Sequence, residues 1–478
     1  MALPALVQHV SSNSNPAGFS NSGDNYVFCP PNNVGAGNCV VLALSFPSGF
    51  TATITDNNGN SWPGSPAVST DSGSMVAAIF VLPNANAGRT FFTVSFGTHI
   101  NPVQYVYSEW CNVATASPAN GTASANTVAG ASLATGAFTP GNNDANGGNL
   151  VFAYYAPSVG SVASNPSTWV SGGSFSLLDG NIGWVDNKGF PTASQQFVQT
   201  ASASINPGIT ATGDTADHFN CVAVALKAAS AGTPKPASGI YVNKVIHTAN
   251  DVVPPVGNYD LQIPAVGNLR VLVMPSTDNF MTISGITDND SGSIWVKPLA
   301  GSSQIWYCAN RGPKSDLKVT LAISFSQSGV AGSCVRFFDV SNATTTAFDV
   351  AANTEPVDCS GATVVNNAPT ITPTTTNGLV IACLALGQGP VTAFASGAPS
   401  GAFFDTVFYD GMVDLGDLME DSDGIAHAYN AGTTTLNWNW AITNIASNNF
   451  WSHAVAFIAA SAPPPSVPVP RKMSLVWV

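Results

Sequence analysis

Charge is scarce in this chain. Only 8% of its 478 residues are Asp, Glu, Lys or Arg, against ~25% in ordinary soluble domains. Three glutamates, Glu109, Glu355 and Glu420, serve the whole length, and Arg89, Lys188 and Lys227 are the only cations in residues 1–230. With so few cations and a net charge of −13, no basic track is available to neutralise phosphates, so neither nucleic-acid binding nor attachment to an anionic membrane is expected. Long apolar runs are missing too, since none approaches the ~20 residues of a membrane-crossing helix. The opening MALPALVQHV carries neither the charged n-region nor the full apolar h-region of a secretory signal, which leads us to expect assembly in the cytoplasm. Also missing is any long stretch with apolar residues at i, i+3, i+4 and i+7, so helix is expected to be minor.

What the chain does contain is alternation at period two. Residues 91–96 (FFTVSF) and 317–325 (LKVTLAISF) set β-branched and aromatic residues against small or polar ones, as a half-buried strand requires. Further strands are expected at 39–46, 75–82, 104–110, 149–155 and 220–227, with turn formers such as Asp56-Asn57-Asn58-Gly59 between them. Ser, Thr, Asn and Gly supply the polarity that charge does not, and they favour turns and exposed strand faces.

The chain also repeats itself. Residues 55–62 (TDNNGNSW) return as 287–295 (TDNDSGSIW), 150–153 (LVFA) as 379–382 (LVIA), and 223–230 (AVALKAAS) as 454–461 (AVAFIAAS), all offset by roughly 230 residues. That period is a whole domain rather than a ~20–50-residue solenoid unit. The reading is all-β, with two tandem antiparallel β-sandwich, jelly-roll-like domains from an internal duplication. Copy 1 spans 1–230, a Pro-containing linker 231–240, copy 2 spans 241–461, and 462–478 hold a Pro-rich linker and a terminal strand. That strand, 472–478 (KMSLVWV), has no obvious sheet partner in its own repeat. Lys472, Met473, Leu475 and Trp477 are therefore candidate assembly residues, adding a strand to another subunit or particle component or folding back on copy 2.

Candidate chemistry is sparse. Neither copy repeats a carboxylate pair of the kind a glycosidase needs, no histidine recurs in its duplicate, and no HExxH or zinc spacing occurs. Asp71-Ser72-Gly73 has the composition of a serine-protease nucleophile loop but also of a common turn. Asp417, Glu420, Asp421 and Asp423 are candidate Ca²⁺ ligands in an acid-rich stretch, and the same residues read equally as a solvated loop; no other cofactor is expected. The eight cysteines do not recur between copies, so buried reduced thiols are expected, with Cys29 and Cys39 the pair to inspect for a bridge. Among the tryptophans, Trp438 and Trp440 lie two apart on one strand and are candidates for stacking on sugars, though each reads equally as core.

The TDNxGN-W turn, the VSF strand, VYSEWCNVATASP or VRFFDVSNATTTAFDV, and the closing AVAL or AVAF strand resemble β-sandwich repeats of bacterial surface proteins and of structural proteins in tailed-phage particles. The resemblance implies a non-enzymatic virion component on a capsid, tail or fibre. Its partners would be other virion proteins or copies of itself, in a homo-oligomer or array. The alternative is a carbohydrate-binding or adhesive protein at an extracellular surface that meets host glycans, and a glycan hydrolase is a further one.

Overall fold

A computed structural model describes residues 2–12, 20–22, 25–98, 100, 102–159, 166–180, 191–213, 218–250, 257–274, 281–300, 304–325, 333–358, 364–386, 391–396, 403–404, 422–444 and 449–461. The described residues are all-β. Their only helical element is the single turn Asp144–Asn146, as expected of a sequence without helical periodicity.

Strands follow one another in four successive sets. The first holds β1 (Ala5–Ser12), β2 (Ser20–Ser22), β3 (Asn25–Phe28), β4 (Cys39–Pro47), β5 (Thr53–Asp56), β6 (Val68–Asp71), β7 (Met75–Leu82), β8 (Phe92–Ser95) and β9 (Gln104–Cys111). The second holds β10 (Ala119–Ala129), β11 (Ser132–Ala134), β12 (Asn149–Pro157), β13 (Thr168–Ser171), β14 (Ser176–Gly180), β15 (Ala193–Gln199), β16 (Gly208–Thr212) and β17 (His218–Lys227). The third holds β18 (Tyr241–Asn250), β19 (Gly257–Gln262), β20 (Leu269–Met274), β21 (Met281–Asp288), β22 (Gln304–Ala309), β23 (Lys318–Phe325) and β24 (Ser333–Ser341). The fourth holds β25 (Ala343–Asp358), β26 (Val364–Ile371), β27 (Gly378–Leu386), β28 (Val391–Ser396), β29 (Phe403–Phe404), β30 (Ser422–Asn430), β31 (Leu436–Asn444) and β32 (Asn449–Ala459).

One hydrogen-bonding order runs through all four sets. In the first it is β1-β9-β4-β7-β6 with β3-β8-β5; in the second, β10-β17-β12-β15-β14 with β11-β16-β13. The third gives β18-β24-β20-β22 with β19-β23-β21, and the fourth β25-β32-β27-β30-β29 with β26-β31-β28. The order therefore recurs at roughly half the period that the sequence similarity suggests. The sequence hides the shorter period because its best marker, the Asp turn before a tryptophan, is seen among the described residues only in the first and third sets. There Asp56 caps the Asn58 N–H at 2.9 Å and accepts the Trp62 indole at 2.8 Å. Asp288 does the same for Asp290 at 2.9 Å and Trp295 at 3.0 Å.

The first and third sets share a nine-stranded sheet, β22-β20-β24-β18-β1-β9-β4-β7-β6. Every pairing in it is antiparallel except the central one, where β1 and β18 run parallel, His9 to Ser12 against Lys244 to His247. Both faces of this sheet are covered, so β4 reads as a continuous apolar run, with Val40, Val41, Leu42, Ala43 and Leu44 all at 0% exposure. Val40, Leu42 and Leu44 pack against Tyr26, Phe28, Phe92 and Val94 of the small β2-β3-β8-β5 sheet. Val41 and Ala43 pack against Leu150, Phe152, Val222 and Val224 on the other side. Each buried Val, Leu or Phe among these contributes ~1.5–3 kcal/mol. The eight-stranded sheet crosses from second to third set where Gly180 of β14 pairs with Gln262 of β19.

The Pro-containing linker 231–240 is fastened to the body through Thr233 and Lys235. Asn38 receives the Thr233 N–H at 2.7 Å and donates to its carbonyl at 2.9 Å, and Lys235 reaches Asn243 and Ser341.

Candidate functional site

Two central parallel strands with covered faces must satisfy every polar side chain internally. Gln8, His9, Asn243 and Lys244 are all buried here, and they gather a polar cluster around the junction. On the face toward β14, His9 Nδ1 lies 2.8 Å from Ser108 Oγ and Nε2 lies 2.6 Å from Asp179 Oδ2. Ser194 donates to the same oxygen at 2.6 Å. Burial pushes the His9 pKa down, against the pull of Asp179, and keeps the ring neutral. Nε2–H then donates to the carboxylate and Nδ1 accepts from Ser108. Beside it, Lys244 Nζ donates to the Leu178 and Pro264 carbonyls, both at 2.8 Å; burial lowers its pKa to about 8.

Ser, His and Asp in hydrogen-bonded series have the composition of a hydrolase triad. Here Ser108 and His9 are at 0% exposure and Asp179 at 1%, so no substrate carbonyl reaches the hydroxyl. What the trio does is join three strands, β1, β9 and β14, from two sheets.

Two further buried carboxylates flank the junction. Glu109 accepts the Gly35 N–H at 2.8 Å and the Tyr107 hydroxyl at 3.2 Å, together with the Gln8 amide at 2.5 Å and the Asn38 amide. Asp339 accepts the N–H groups of Val266 at 3.0 Å and Gly267 at 2.8 Å, and the Asn243 amide at 3.3 Å. Burial raises both pKa values against the lowering effect of these donors.

A cleft of about 980 Å³ opens beside the Gly35 loop that bonds Glu109. Asn33, Gly35, Arg89, Pro234, Tyr241 and Tyr429 are among its walls. Arg89 lies over the Phe91 ring at 4.9 Å. Tyr429 is fixed by donating to Asn32 Oδ1 at 2.5 Å and accepting from the Val242 N–H at 3.0 Å. The cleft thus combines one guanidinium, two phenol rings and amide side chains in a partly apolar hollow, a set suited to a small polar or saccharide ligand.

The residues singled out in the sequence fall elsewhere. Trp438 is fully buried and offers no face to a sugar; the side chain of Trp440, two residues on along β31, lies outside the described residues. Trp169 is also buried, while the half-buried Trp62 and Trp295 give their indole N–H groups to Asp56 and Asp288. Asp417, Glu420 and Asp421 lie outside the described residues. The backbone of Asp423, in β30, pairs with Ala385 of β27. Among the described residues no group of three or more His, Cys, Asp or Glu gathers as a metal site. Lys472, Met473, Leu475 and Trp477 also lie outside the described residues. In the Asp71-Ser72-Gly73 turn, Asp71 caps the Gly73 N–H at 2.7 Å and Ser72 Oγ lies 3.0 Å from the Met75 carbonyl, the bonding of a closed turn. Cys29, Cys39, Cys111, Cys221, Cys308 and Cys383 are buried free thiols, so Cys29 and Cys39 form no bridge. Burial pushes Cys39 and Cys221 up to about 12.

The polar junction itself escaped the sequence reading. His9 and Asp179 are 170 residues apart, and no local pattern links them. Glu109 and Asp339 did leave a signal, because SEWCN and FDVSN place an acid three residues before a shared asparagine. Asn112 and Asn342 adopt φ 60° and 61°, and their amides donate to the Leu3 and Gly239 carbonyls just ahead of β1 and β18. Comparison with protein-family models and with curated proteins finds no match to the chain.

Proposed function

We propose that the chain is a non-enzymatic structural component of a phage particle, exposed on a capsid, tail or fibre. In this reading it consists of tandem antiparallel, jelly-roll-like sandwiches that arose by internal duplication, with copies at 1–230 and 241–461. The observation that carries it is the nine-stranded sheet, which runs unbroken from the first to the third set of strands and ties distant parts of the chain into one stiff body. A polar but nearly uncharged surface over such a body suits a part that must persist outside a cell. The recurrent strand order and the matched Asp56–Trp62 and Asp288–Trp295 turns support the duplication. Partners are then other virion proteins or further copies of the chain, met in part through the segment bearing Leu475 and Trp477.

The test is direct. Particles propagated from the encoding genome are purified, digested for mass spectrometry, and labelled with antibodies to the chain. Stoichiometric presence with surface labelling is expected; absence from purified particles overturns the proposal.

A second reading, adhesion to host glycans, is favoured by the cleft rather than by the tryptophans. Arg89 gives it a charge and the half-buried Tyr429 a ring for an acidic sugar. Glycan-array binding that Arg89→Ala abolishes supports it, and an array without hits removes it.

A further inference from the structure

The first strand of every set, β1, β10, β18 or β25, is outermost in its hydrogen-bonding order. β1 and β18 join through those outer edges. β10 and β25 end the eight- and five-stranded sheets, and among the described residues no strand pairs with their outer edges. Burial follows the pairing: six of eight residues in β1 are buried, and none of eleven in β10.

Exposed edges normally carry lysine, proline or inward charge, or are short. β25 has Asp349, Glu355, Pro356 and Asp358. β10, ANGTASANTVA, has neither charge nor proline along eleven residues. It also lies inside residues 112–143, which hold no charged side chain at all. In a chain of net charge −13, an uncharged edge offers a second copy an approach without like-charge repulsion.

Register strengthens the case. Val10 lies opposite Tyr107, which lies opposite Leu42, the fourth residue of β4. Thr122 lies opposite Val224, which lies opposite Phe152, the fourth residue of β12. Residues 122–124 therefore stand where residues 10–12 stand, and those pair with 245–247. Bulges do not prevent such pairing. β1 is bulged against β9 between Leu6 and Gln8, yet holds four pairs with β18. β10 likewise keeps a four-residue run, 122–125, in unbroken register with β17.

We propose that β10 pairs in parallel with β10 of a second copy about a two-fold axis, extending the eight-stranded sheet across a homodimer as β1 and β18 extend the nine-stranded one. This goes beyond the particle reading and stands apart from assembly through the C-terminal segment. The experiment measures the mass of the full chain by light scattering over a concentration series, beside two full-length variants. Thr122→Lys/Ser124→Lys places like charges at exposed edge positions; Leu475→Asp/Trp477→Asp alters the C-terminal segment only. The expected result is a twofold rise in mass from 48.9 kDa for the wild type and the C-terminal variant, lost in the edge variant. A wild type that stays monomeric, a dimer that survives the edge charges, or a dimer lost only in the C-terminal variant each overturns the proposal. Should the edge variant fail to fold, Ser124→Cys decides. Oxidation is expected to yield a covalent dimer, and its failure to do so has the same meaning as a surviving monomer.

Discussion

Glu109 and Asp339 occupy one place in two parts of the fold. Glu109 lies opposite Gln8 and Asp339 opposite Lys244, each the residue just past a bulge in its first strand, and each accepts the backbone N–H of a glycine, Gly35 or Gly267. A parallel junction between two buried strands is thus flanked on both sides by a carboxylate that gathers loop N–H groups.

All four hydrogen-bonding partners of Glu109 are donors. Glu109→Gln turns an amide NH₂ toward at least one of them, so a loss of ~1–3 kcal/mol is expected from the stranded donor. Urea unfolding at pH 7 checks it; an unchanged midpoint with an unchanged slope contradicts the stated network.

The two glycines are not equally replaceable. A Cβ at Gly267 would lie 2.1 Å from the Val340 carbonyl oxygen, whereas at Gly35 the nearest atom is the Asn38 amide nitrogen at 2.5 Å. Backbone cannot step aside as a side chain can, so Gly267→Ala is expected to lower the melting temperature more than Gly35→Ala. Parallel thermal scans of the two variants decide the order.

His9 gives the fold a defined pH response. Burial holds its folded pKa below the ordinary imidazole value of 6.5, so the unfolded chain binds the proton more readily, and this contribution to stability is lost as pH falls below about 6.5. The raised pKa values of Glu109 and Asp339 act with the opposite sign, so the comparison must be against His9→Gln in the same buffers. The stability difference between wild type and variant is expected to shrink from pH 7 to pH 5; a constant difference refutes a neutral buried His9.

Lys244 acts at the other end of the scale. With a folded pKa of about 8 and an unfolded value near ~10.4, the unfolded chain holds more protons between the two. Wild-type stability should therefore rise, relative to Lys244→Met, as pH increases from about 8 to about 10. Chemical denaturation across that window reads the effect as a converging or diverging pair of curves.

The paired aspartates before the tryptophans differ in one respect. Asp56 serves a turn and an indole, while Asp288 also lies 3.5 Å from the buried guanidinium of Arg270. Asp56→Ala is expected to cost ~1–2 kcal/mol and Asp288→Ala more, toward the ~3 kcal/mol of a broken buried pair. Equal costs would show that Asp290, 2.8 Å from Arg270, suffices alone.

Legibility in the sequence followed the range of the interactions. Period-two alternation announced β8 and β23, and Asp56-Asn57-Asn58-Gly59 announced its turn, because both are set by neighbours within a few residues. The two-set content of each ~230-residue stretch stayed hidden, since strand order can recur while side chains change under the looser demand of apolar against polar. Trp438 could not be told from a platform by its spacing, because a strand presents alternate residues alike to a core or to solvent. The His9 cluster was illegible for a simpler reason: His9 meets Ser108 and Asp179 only after chain segments 99 and 170 residues away have folded back.

The parallel pairing of β1 with β18 has a consequence in time. β1 finds β9 as soon as residue 111 is made, but its other edge waits for residue 247. At ~5–20 residues per second of synthesis, the delay is on the order of ten seconds. For that interval a nascent chain carries a formed but half-matched strand at the middle of its future sheet. An edge left open for that time is the kind of surface with which a neighbouring chain can pair.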